Sequence, residues 1–412
     1  MTVLAQRRPI GLWRSWSMVA GMMIGSGIFT LPSLLAAYGS FSFLGWALSG
    51  FGALCLALTY ANFAARQAGL GGPYFYVRVV FGKRWGALVA WSYWFSLVSA
   101  VSAIALSFVG YCANYLPFEQ DNLTSTLLAV CVVLAFAAIN MVGVRGASIL
   151  QLVATICKIL PLLIIGILGI WLGDIQHIPA IKPGESSTLG MLASMCLLIM
   201  WAFIGVESAT VPSEDTINPE KTIPRASILG TLTATTVYVI ATWGIMSVLS
   251  LDALKISSSP FSDAAQLLLG NAGETLVTLG ALFAIGGTLN VCVMMSGTMM
   301  LAGARDNVFP ALLARQNSHG TATNALLFSS AISIGLLLLN ISESLLKGFE
   351  ILLTLSTFAV LVVYLLTALA SMAMQWRERH KHRRKFKLDM WIATLACCFS
   401  TLAIIGAWVL YH

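Results

Sequence analysis

The chain consists of long apolar runs separated by short polar stretches. A helix needs about 20 apolar residues to cross roughly 30 Å of hydrocarbon, and eleven runs reach that length. They cover residues 12–38, 41–65, 85–112, 123–143, 147–173, 188–212, 226–250, 273–303, 323–341, 349–375 and 388–411. Almost nothing is left over, so the pattern predicts an all-α polytopic membrane protein with one transmembrane domain over residues 1–412. The segment before the first run is too short for a separate signal region, so that run is expected to be retained.

Composition and charge fix the class and the expected orientation. The chain is 58% hydrophobic and 9% charged, with mean hydropathy +0.87, which excludes a soluble domain. With the N-terminus inside, all but four of the 23 basic residues fall in cytoplasmic segments. The positive-inside rule therefore predicts a multi-pass protein of the cell (inner) membrane with a cytoplasmic N-terminus. The basic run from Arg377 to Lys387 is interpreted as a topogenic loop rather than a nucleic-acid or phosphoinositide site.

The cysteines and histidines argue against metal or enzyme chemistry. All eight cysteines lie within or at the ends of apolar runs, and the five histidines lie in loops or at the terminus. Neither set has metal-ligand spacing, so we expect no metal and no cofactor. A membrane enzyme would need clustered His, Asp or Glu inside the membrane, which the sequence lacks, and we expect that the protein is not an enzyme.

Two of the apolar runs are interrupted. The first contains Gly25-Ser26-Gly27, and the sixth contains Gly205 shortly before Glu207. Broken backbone is tolerated in lipid only where protein or a polar cavity satisfies the freed groups, an arrangement that transporters use at their binding sites. The recurrence five runs later predicts an inverted repeat. Repeat one covers about 12–173, repeat two about 188–375, and a further span about 388–411.

The loop from Gly71 to Gly82 predicts a short interfacial or re-entrant helix on the cytoplasmic side. The polar loop Ser213–Lys221, with the Pro224 that follows, predicts a turn-rich connector.

Two charges lie clearly within predicted spans, at a cost of about 2.5 kcal/mol or more each. Lys158 is too deep in the fifth span to reach the interface, so we expect its ammonium to contact carbonyls freed by the broken first helix. The alternative is a lysine that faces an aqueous crevice without a specific role. Glu207 is a candidate gate residue or proton carrier, and the alternative is an interfacial carboxylate. Both residues are candidates for proton coupling.

The broken segments suggest the ligand. Amides of the triplet can bind an anion at a helix N-terminus, and carbonyls freed near Trp201 and Ile204 can accept from an ammonium. A carboxylate at one end and an amine at the other describe an α-amino acid. Trp201 would lie over this ligand, and simple packing or an interfacial position is the alternative.

At these residues the chain resembles the amino acid–polyamine–organocation superfamily over about residues 10–375. The sixth-span motif is similar to that of the arginine/agmatine and putrescine/ornithine antiporters. The resemblance implies a LeuT-like five-plus-five fold with alternating access. It rests on four motifs in order: Ile24-Gly25-Ser26-Gly27-Ile28-Phe29, Gly71-Gly72-Pro73-Tyr74-Phe75-Tyr76, Trp201-Ala202-Phe203-Ile204-Gly205-Val206-Glu207-Ser208 and Asn218-Pro219-Glu220-Lys221 with the Pro224 that follows.

The family pattern also implies how a substrate is held. Ser26 and Gly27 would bind the substrate carboxylate. Main chain around Ile24, Trp201 and Ile204 would take the amine.

Further roles are implied for the gates and for the buried lysine. Trp201 would be the gate over the substrate, and Tyr93, Glu207 and Tyr364 match a second, distal gate. Lys158 resembles the fifth-helix lysine of sodium-independent members, especially the L-type exchangers, where an ammonium stands in for a sodium ion. We therefore expect no sodium requirement.

Three positions depart from the arginine/agmatine antiporter pattern. Val101 and Cys292 align with an asparagine and a tryptophan that meet the guanidinium there, and Thr354 replaces a serine. Losing a hydrogen-bond partner and a cation–π face removes most of the reason to bind a guanidinium. This predicts a neutral amino acid as the substrate.

The predicted function is a sodium-independent antiporter or proton-coupled permease for a neutral amino acid. The alternatives are a basic amino acid or polyamine antiporter and, more remotely, a substrate sensor with a transporter core. Expected partners are the amino acid, protons, the lipid bilayer and a second copy of the chain in a homodimer, but no nucleic acid. The family usually has twelve spans and eleven are predicted here, so a dimer interface built from the last spans is in question.

Overall fold

The computed structural model describes residues 10–66, 72–115, 121–142, 148–178, 188–210, 216–317, 321–378 and 383–411. Gly71 of the second motif, residues 211–215 around the predicted Ser213–Lys221 connector, and residues 379–382 of the basic run lie outside these ranges.

The described chain is helical almost throughout. Its helices are α1 (Leu12–Met23), α2 (Ser26–Leu35), α3 (Phe41–Arg66), α4 (Pro73–Phe81), α5 (Lys83–Cys112), α6 (Asn122–Val142), α7 (Ser148–Leu172), α8 (Thr188–Met200), α9 (Pro219–Val248), α10 (Leu251–Ile256), α11 (Pro260–Arg305), α12 (Thr323–Leu339), α13 (Leu345–Glu378) and α14 (Arg383–Tyr411). Short 3-10 turns follow several of them. The one extended pairing in the described residues is an isolated bridge between Ile10 and Thr216.

Within the described residues, nine helical stretches are long and apolar enough to cross a membrane. Two shorter apolar helices, Thr188–Phe203 and Thr323–Leu339, coincide with the predicted sixth and ninth spans. Each of the eleven predicted runs therefore contains an apolar helix. The prediction of an all-α, multi-pass membrane protein is confirmed.

Two helices, α9 and α11, begin earlier in the chain than the predicted seventh and eighth spans. Pro224, predicted in a turn-rich connector, lies inside α9, which begins at Pro219 in its first position. The amide that Pro224 lacks would bond to a carbonyl in the exposed first turn, where water can replace it. α11 also begins before the predicted eighth span, which starts at residue 273, and it contains a kink at Gly270, whose φ of 68° lies in the left-handed region that glycine tolerates.

The short helix expected after the second span is present as α4. Gly72 precedes it with φ 51° and Pro73 occupies its first position, where the missing amide costs no helical bond. Gly82, with φ 91°, then turns the chain directly into α5. The glycine-proline sequence thus sets both ends of this helix.

Contacts between helices follow the pattern that a two-repeat architecture produces. α1 in the first span packs on α9 in the seventh, and α8 in the sixth packs on α3 in the second. Likewise α5 in the third span packs on α13 in the tenth, and α11 in the eighth packs on α7 in the fifth. Shifting each partner by five spans exchanges one contact with the other. The inverted repeat itself stays a prediction, supported by this exchange.

Candidate functional site

The first span is broken, as predicted, but at Ile24 and Gly25 rather than across the whole Gly25-Ser26-Gly27 triplet, because Ser26 and Gly27 already belong to α2. The Ile24 amide still donates to the Ala20 carbonyl at 2.9 Å, but the Gly25 amide turns to the Met23 carbonyl, also at 2.9 Å. In an unbroken helix that amide would have bonded to the Gly21 carbonyl. The break therefore releases the Gly21 carbonyl and starts a new helix, α2, whose first amides have no helical acceptor.

The sixth span is broken over a longer stretch, again as predicted. Regular helix ends at Met200, a 3-10 turn covers Trp201–Phe203, and Ile204 is extended with φ −61° and ψ 130°. Gly205 follows with φ 110°, a conformation that residues with a Cβ rarely adopt. This residue redirects the chain and places Glu207 in the interior.

The two breaks lie against each other. A Cβ added to Gly27 would stand 3.0 Å from Trp201 Cδ1 and 3.1 Å from Ala202 Cα. A Cβ on Gly205 would stand 2.8 Å from Met22 Cβ. Each glycine thus permits a contact between broken segments that alanine would obstruct. The Trp201 side chain is buried between them and meets Phe349 of α13 edge to face, with ring centroids 6.2 Å apart.

Lys158 of α7 contacts the first break. Its Nζ donates to the Gly21 carbonyl at 3.3 Å and to Thr288 Oγ1 of α11 at 3.4 Å. The residue is 4% exposed, which removes the alternative of a lysine facing open water. The predicted contact with a freed carbonyl is present, and the carbonyl is the one that lost the Gly25 amide.

Glu207 is buried and held from two sides. It is 2% exposed, so its side chain faces the helix bundle. Tyr93 of α5 donates its hydroxyl to Oε1 at 2.8 Å, and Tyr364 of α13 donates to Oε2 at 2.8 Å. The three residues predicted as a distal gate are therefore in direct contact, each from a different span.

The other predicted substrate residues are buried on three separate helices. Val101 lies on α5, Cys292 on α11 and Thr354 on α13. Thr354 Oγ1 is buried without a hydrogen-bond partner among the described residues. Ser26 is buried, and Ile204 is partly exposed.

Thr288 belongs to this site and was not predicted. Its hydroxyl accepts from Lys158 and donates to the Ala284 carbonyl at 3.0 Å. Thr288 also restricts position 25 to glycine, since a Cβ on Gly25 would stand 2.5 Å from Thr288 Oγ1. The adjacent pair Gly286-Gly287 is the sequence signal that could have marked this turn of the eighth span. A Cβ on Gly287 would face Lys158 Nζ at 3.8 Å.

Comparison with known proteins places this site in a family context. The chain is 30% identical to "Putative arginine/ornithine antiporter" of Bacillus subtilis (strain 168), over 98% of this chain and 92% of that protein. It is 29% identical to a cadaverine/lysine antiporter of Escherichia coli (strain K12), over 98% and 91%. It is 27% identical to the putrescine transporter PotE of Haemophilus influenzae, over 98% and 93%.

These relatives are transporters, in agreement with the expectation that the protein is not an enzyme. The model of the family described as amino acid permease matches residues 10–410, nearly the whole chain and both broken segments. The chain belongs to the amino acid permease family.

Proposed function

We propose that the protein is a sodium-independent exchanger of basic amino acids or polyamines. The proposal extends to its orientation, with the N-terminus in the cytoplasm. The relatives favour this alternative over the neutral amino acid that the sequence predicted, because their names specify arginine, ornithine, lysine, cadaverine and putrescine. All five molecules carry a cationic group at the far end of an aliphatic chain.

The observation that carries the proposal is the environment of the Glu207 carboxylate. The carboxylate is buried and held by two tyrosine hydroxyls, and no ion pair links it to a basic side chain within the described residues. A buried anion without a counter-charge is costly in a membrane protein. A cationic group of the substrate would supply that charge, whereas a neutral side chain would not.

The broken first helix supports the other half of the proposal. Amides at the start of α2, around Ser26 and Gly27, suit a substrate carboxylate, and main chain near Ile24, Trp201 and Ile204 suits the α-amine. Lys158 already fills the position beside the Gly21 carbonyl with a positive charge. A sodium ion is therefore not needed there.

Val101 and Cys292, which led to the prediction of a neutral substrate, do not exclude every cationic substrate. Val101 and Cys292 lack the amide and the aromatic face that suit a planar guanidinium. An alkyl ammonium needs neither, since a carboxylate and a few hydroxyl or carbonyl oxygens can accept its three protons. The substitutions argue against one kind of cationic head rather than against cations.

We extend the proposal to coupling and assembly. Lys158, which contacts the first broken segment from α7, and Glu207, within the second, are both buried and ionisable, and we assign them to proton coupling. Trp201 closes over the substrate, and Tyr93, Glu207 and Tyr364 close the opposite end. A homodimer in the cell membrane remains part of the proposal.

Exchange measured with matched substrates tests this function. Proteoliposomes in sodium-free buffer are loaded with labelled ornithine, and its efflux is followed after adding ornithine or norvaline outside. Norvaline is ornithine without the terminal amine, so the pair isolates the distal cation. We expect ornithine, lysine or a diamine to drive efflux and norvaline to drive almost none. Equal or faster efflux with norvaline would restore the neutral prediction, and no efflux with any amino acid or diamine would remove the exchanger.

A further inference from the structure

Tyr60 contacts the Glu207 site through Tyr364, from a helix that the predicted gate does not include. It is a fully buried residue of α3, in the second span. Its ring meets the ring of Tyr364 edge to face, with centroids 5.8 Å apart and an interplanar angle of 73°. Tyr364 is the residue whose hydroxyl donates to Glu207 Oε2. Tyr60 thus packs against a ring of the predicted gate.

The Tyr60 hydroxyl makes a second contact with α13. It lies 3.3 Å from Thr367 Oγ1, one helical turn beyond Tyr364. Thr367 uses its own proton to donate to the Val363 carbonyl at 2.8 Å. Because a hydroxyl has one proton, Tyr60 must be the donor to Thr367. The bond therefore has a fixed direction and joins α3 to α13.

These contacts form two layers that lie one helical turn apart along α13. The Glu207 layer, comprising Tyr93, Glu207 and Tyr364, ties the unwound sixth span to α5 and α13. The Tyr60 layer, comprising Tyr60 and Thr367, ties α3 to α13. Both layers share α13, and Tyr364 belongs to one and contacts the other. A phenylalanine would fill the same space as Tyr60, so packing alone does not account for a paired hydroxyl in this buried place.

We propose that the Tyr60 layer is a second closure behind Glu207 and that Tyr60 is a positioning residue acting through Tyr364. A substrate cation at Glu207 competes with the tyrosine hydroxyls for the carboxylate and loosens the first layer. The neutral bond between Tyr60 and Thr367 then sets how readily α3 and α13 separate. This inference rests on the proposed exchange of cationic substrates, and it concerns how often this face opens rather than which substrate binds.

Side-specific exchange kinetics of Tyr60→Phe test the proposal. One hydrogen bond between membrane helices contributes on average about 0.6 kcal/mol, equivalent to about a threefold change in an equilibrium. We expect the half-saturating ornithine concentration to fall about threefold on the membrane face that lies beyond the Tyr60 layer. It should not fall on the opposite membrane face. Thr367→Val should give the same shift, the double variant no more than either single one, and Thr367→Ser the wild-type value.

Tyr115→Phe is the matched control, because the Tyr115 hydroxyl is exposed and lies 3.5 Å from Thr275 Oγ1. It should leave both half-saturating values unchanged. A Tyr60→Phe protein with wild-type values on both faces, an equal change on both, or additive effects of the two substitutions would overturn the second closure. The result is separable from the proposed function, since preference for ornithine over norvaline in the wild type does not depend on it. If Tyr60→Phe is not recovered as a folded protein, the Thr367→Val and Thr367→Ser pair decides alone.

Discussion

In the first span the helix is interrupted for two residues, Ile24 and Gly25, and resumes at once as α2. In the sixth span regular helix ends at Met200, and the described chain from there to Thr210 contains two 3-10 turns, Trp201–Phe203 and Ser208–Thr210, with other turn residues between them. At the short break a positive side chain satisfies the freed backbone, since Lys158 donates to the carbonyl that the break released. The longer break carries a negative side chain inward, and tyrosines from two other helices donate to it.

The difference shows which parts of the site are fixed and which are free to bind. The freed Gly21 carbonyl at the first break already has a cationic partner, so that segment offers a ligand the α2 amides and the main chain at Ile24. At the sixth break the carboxylate has hydroxyl partners but no ion pair within the described chain. A ligand with a carboxylate at one end and a cation at the other fits this division.

The largest effect is expected from Glu207→Gln. The substitution keeps the size of the side chain and removes its charge, so ornithine exchange should fall about thirtyfold or more, since losing a buried charged partner costs about 2–5 kcal/mol. Exchange rates in proteoliposomes at matched protein content measure it. Glu220→Gln, at an exposed position in the first turn of α9, should exchange like the wild type. Undiminished exchange in Glu207→Gln would mean that the carboxylate is structural.

Lys158→Met tests the other pole. Methionine preserves the aliphatic stem and removes the bonds to Gly21 and Thr288, so we expect exchange to fall roughly ten- to a hundredfold, as for loss of hydrogen bonds from a charged group. Any exchange that remains should have lost its dependence on pH, which a pH series in proteoliposomes would show. Lys255→Met, at an exposed position in α10, is the matched control. A Lys158→Met protein with the wild-type pH profile would exclude the lysine as the proton-linked group.

Gly27→Ala should weaken binding at the contact of the two breaks. The added methyl group would press on Trp201 and Ala202, and overpacking of this kind costs about 1–3 kcal/mol, so ornithine affinity should fall about tenfold. Ligand-induced shifts in thermal unfolding measure the affinity. Gly335→Ala in α12 is the control, since a Cβ there meets nothing within 4 Å and alanine favours the helix. Unchanged affinity in Gly27→Ala would contradict a substrate site at this contact.

The smallest effects are expected from the tyrosines that hold Glu207. Tyr93→Phe and Tyr364→Phe each remove one of the two hydroxyl donors to Glu207. We expect each substitution to alter the rate of ornithine exchange roughly three- to tenfold. Substrate competition experiments should show that preference for ornithine over norvaline persists, because the carboxylate remains. If either variant reverses that preference, the hydroxyl and not the carboxylate selects the substrate.

The sequence alone predicts those features that have a high free-energy cost in lipid. A run of about 20 apolar residues has one stable structure in hydrocarbon, so the spans could be predicted, and glycine-rich interruptions or buried charges stand out against such runs. Lys158 and Glu207 were found in this way. Thr288, Tyr60 and Thr367 were missed because polar and aromatic residues of modest polarity are common in membrane helices. Only the packing shows that Thr288 meets Lys158 and that Tyr60 meets α13.

A structure of the protein with bound ornithine, determined by electron cryomicroscopy, tests the division of labour between the two broken segments most directly. We predict the ornithine carboxylate against the amides that begin α2 and its terminal ammonium within hydrogen-bonding distance of Glu207. An ammonium directed away from Glu207, with the carboxylate against Lys158 instead of the α2 amides, would contradict the account.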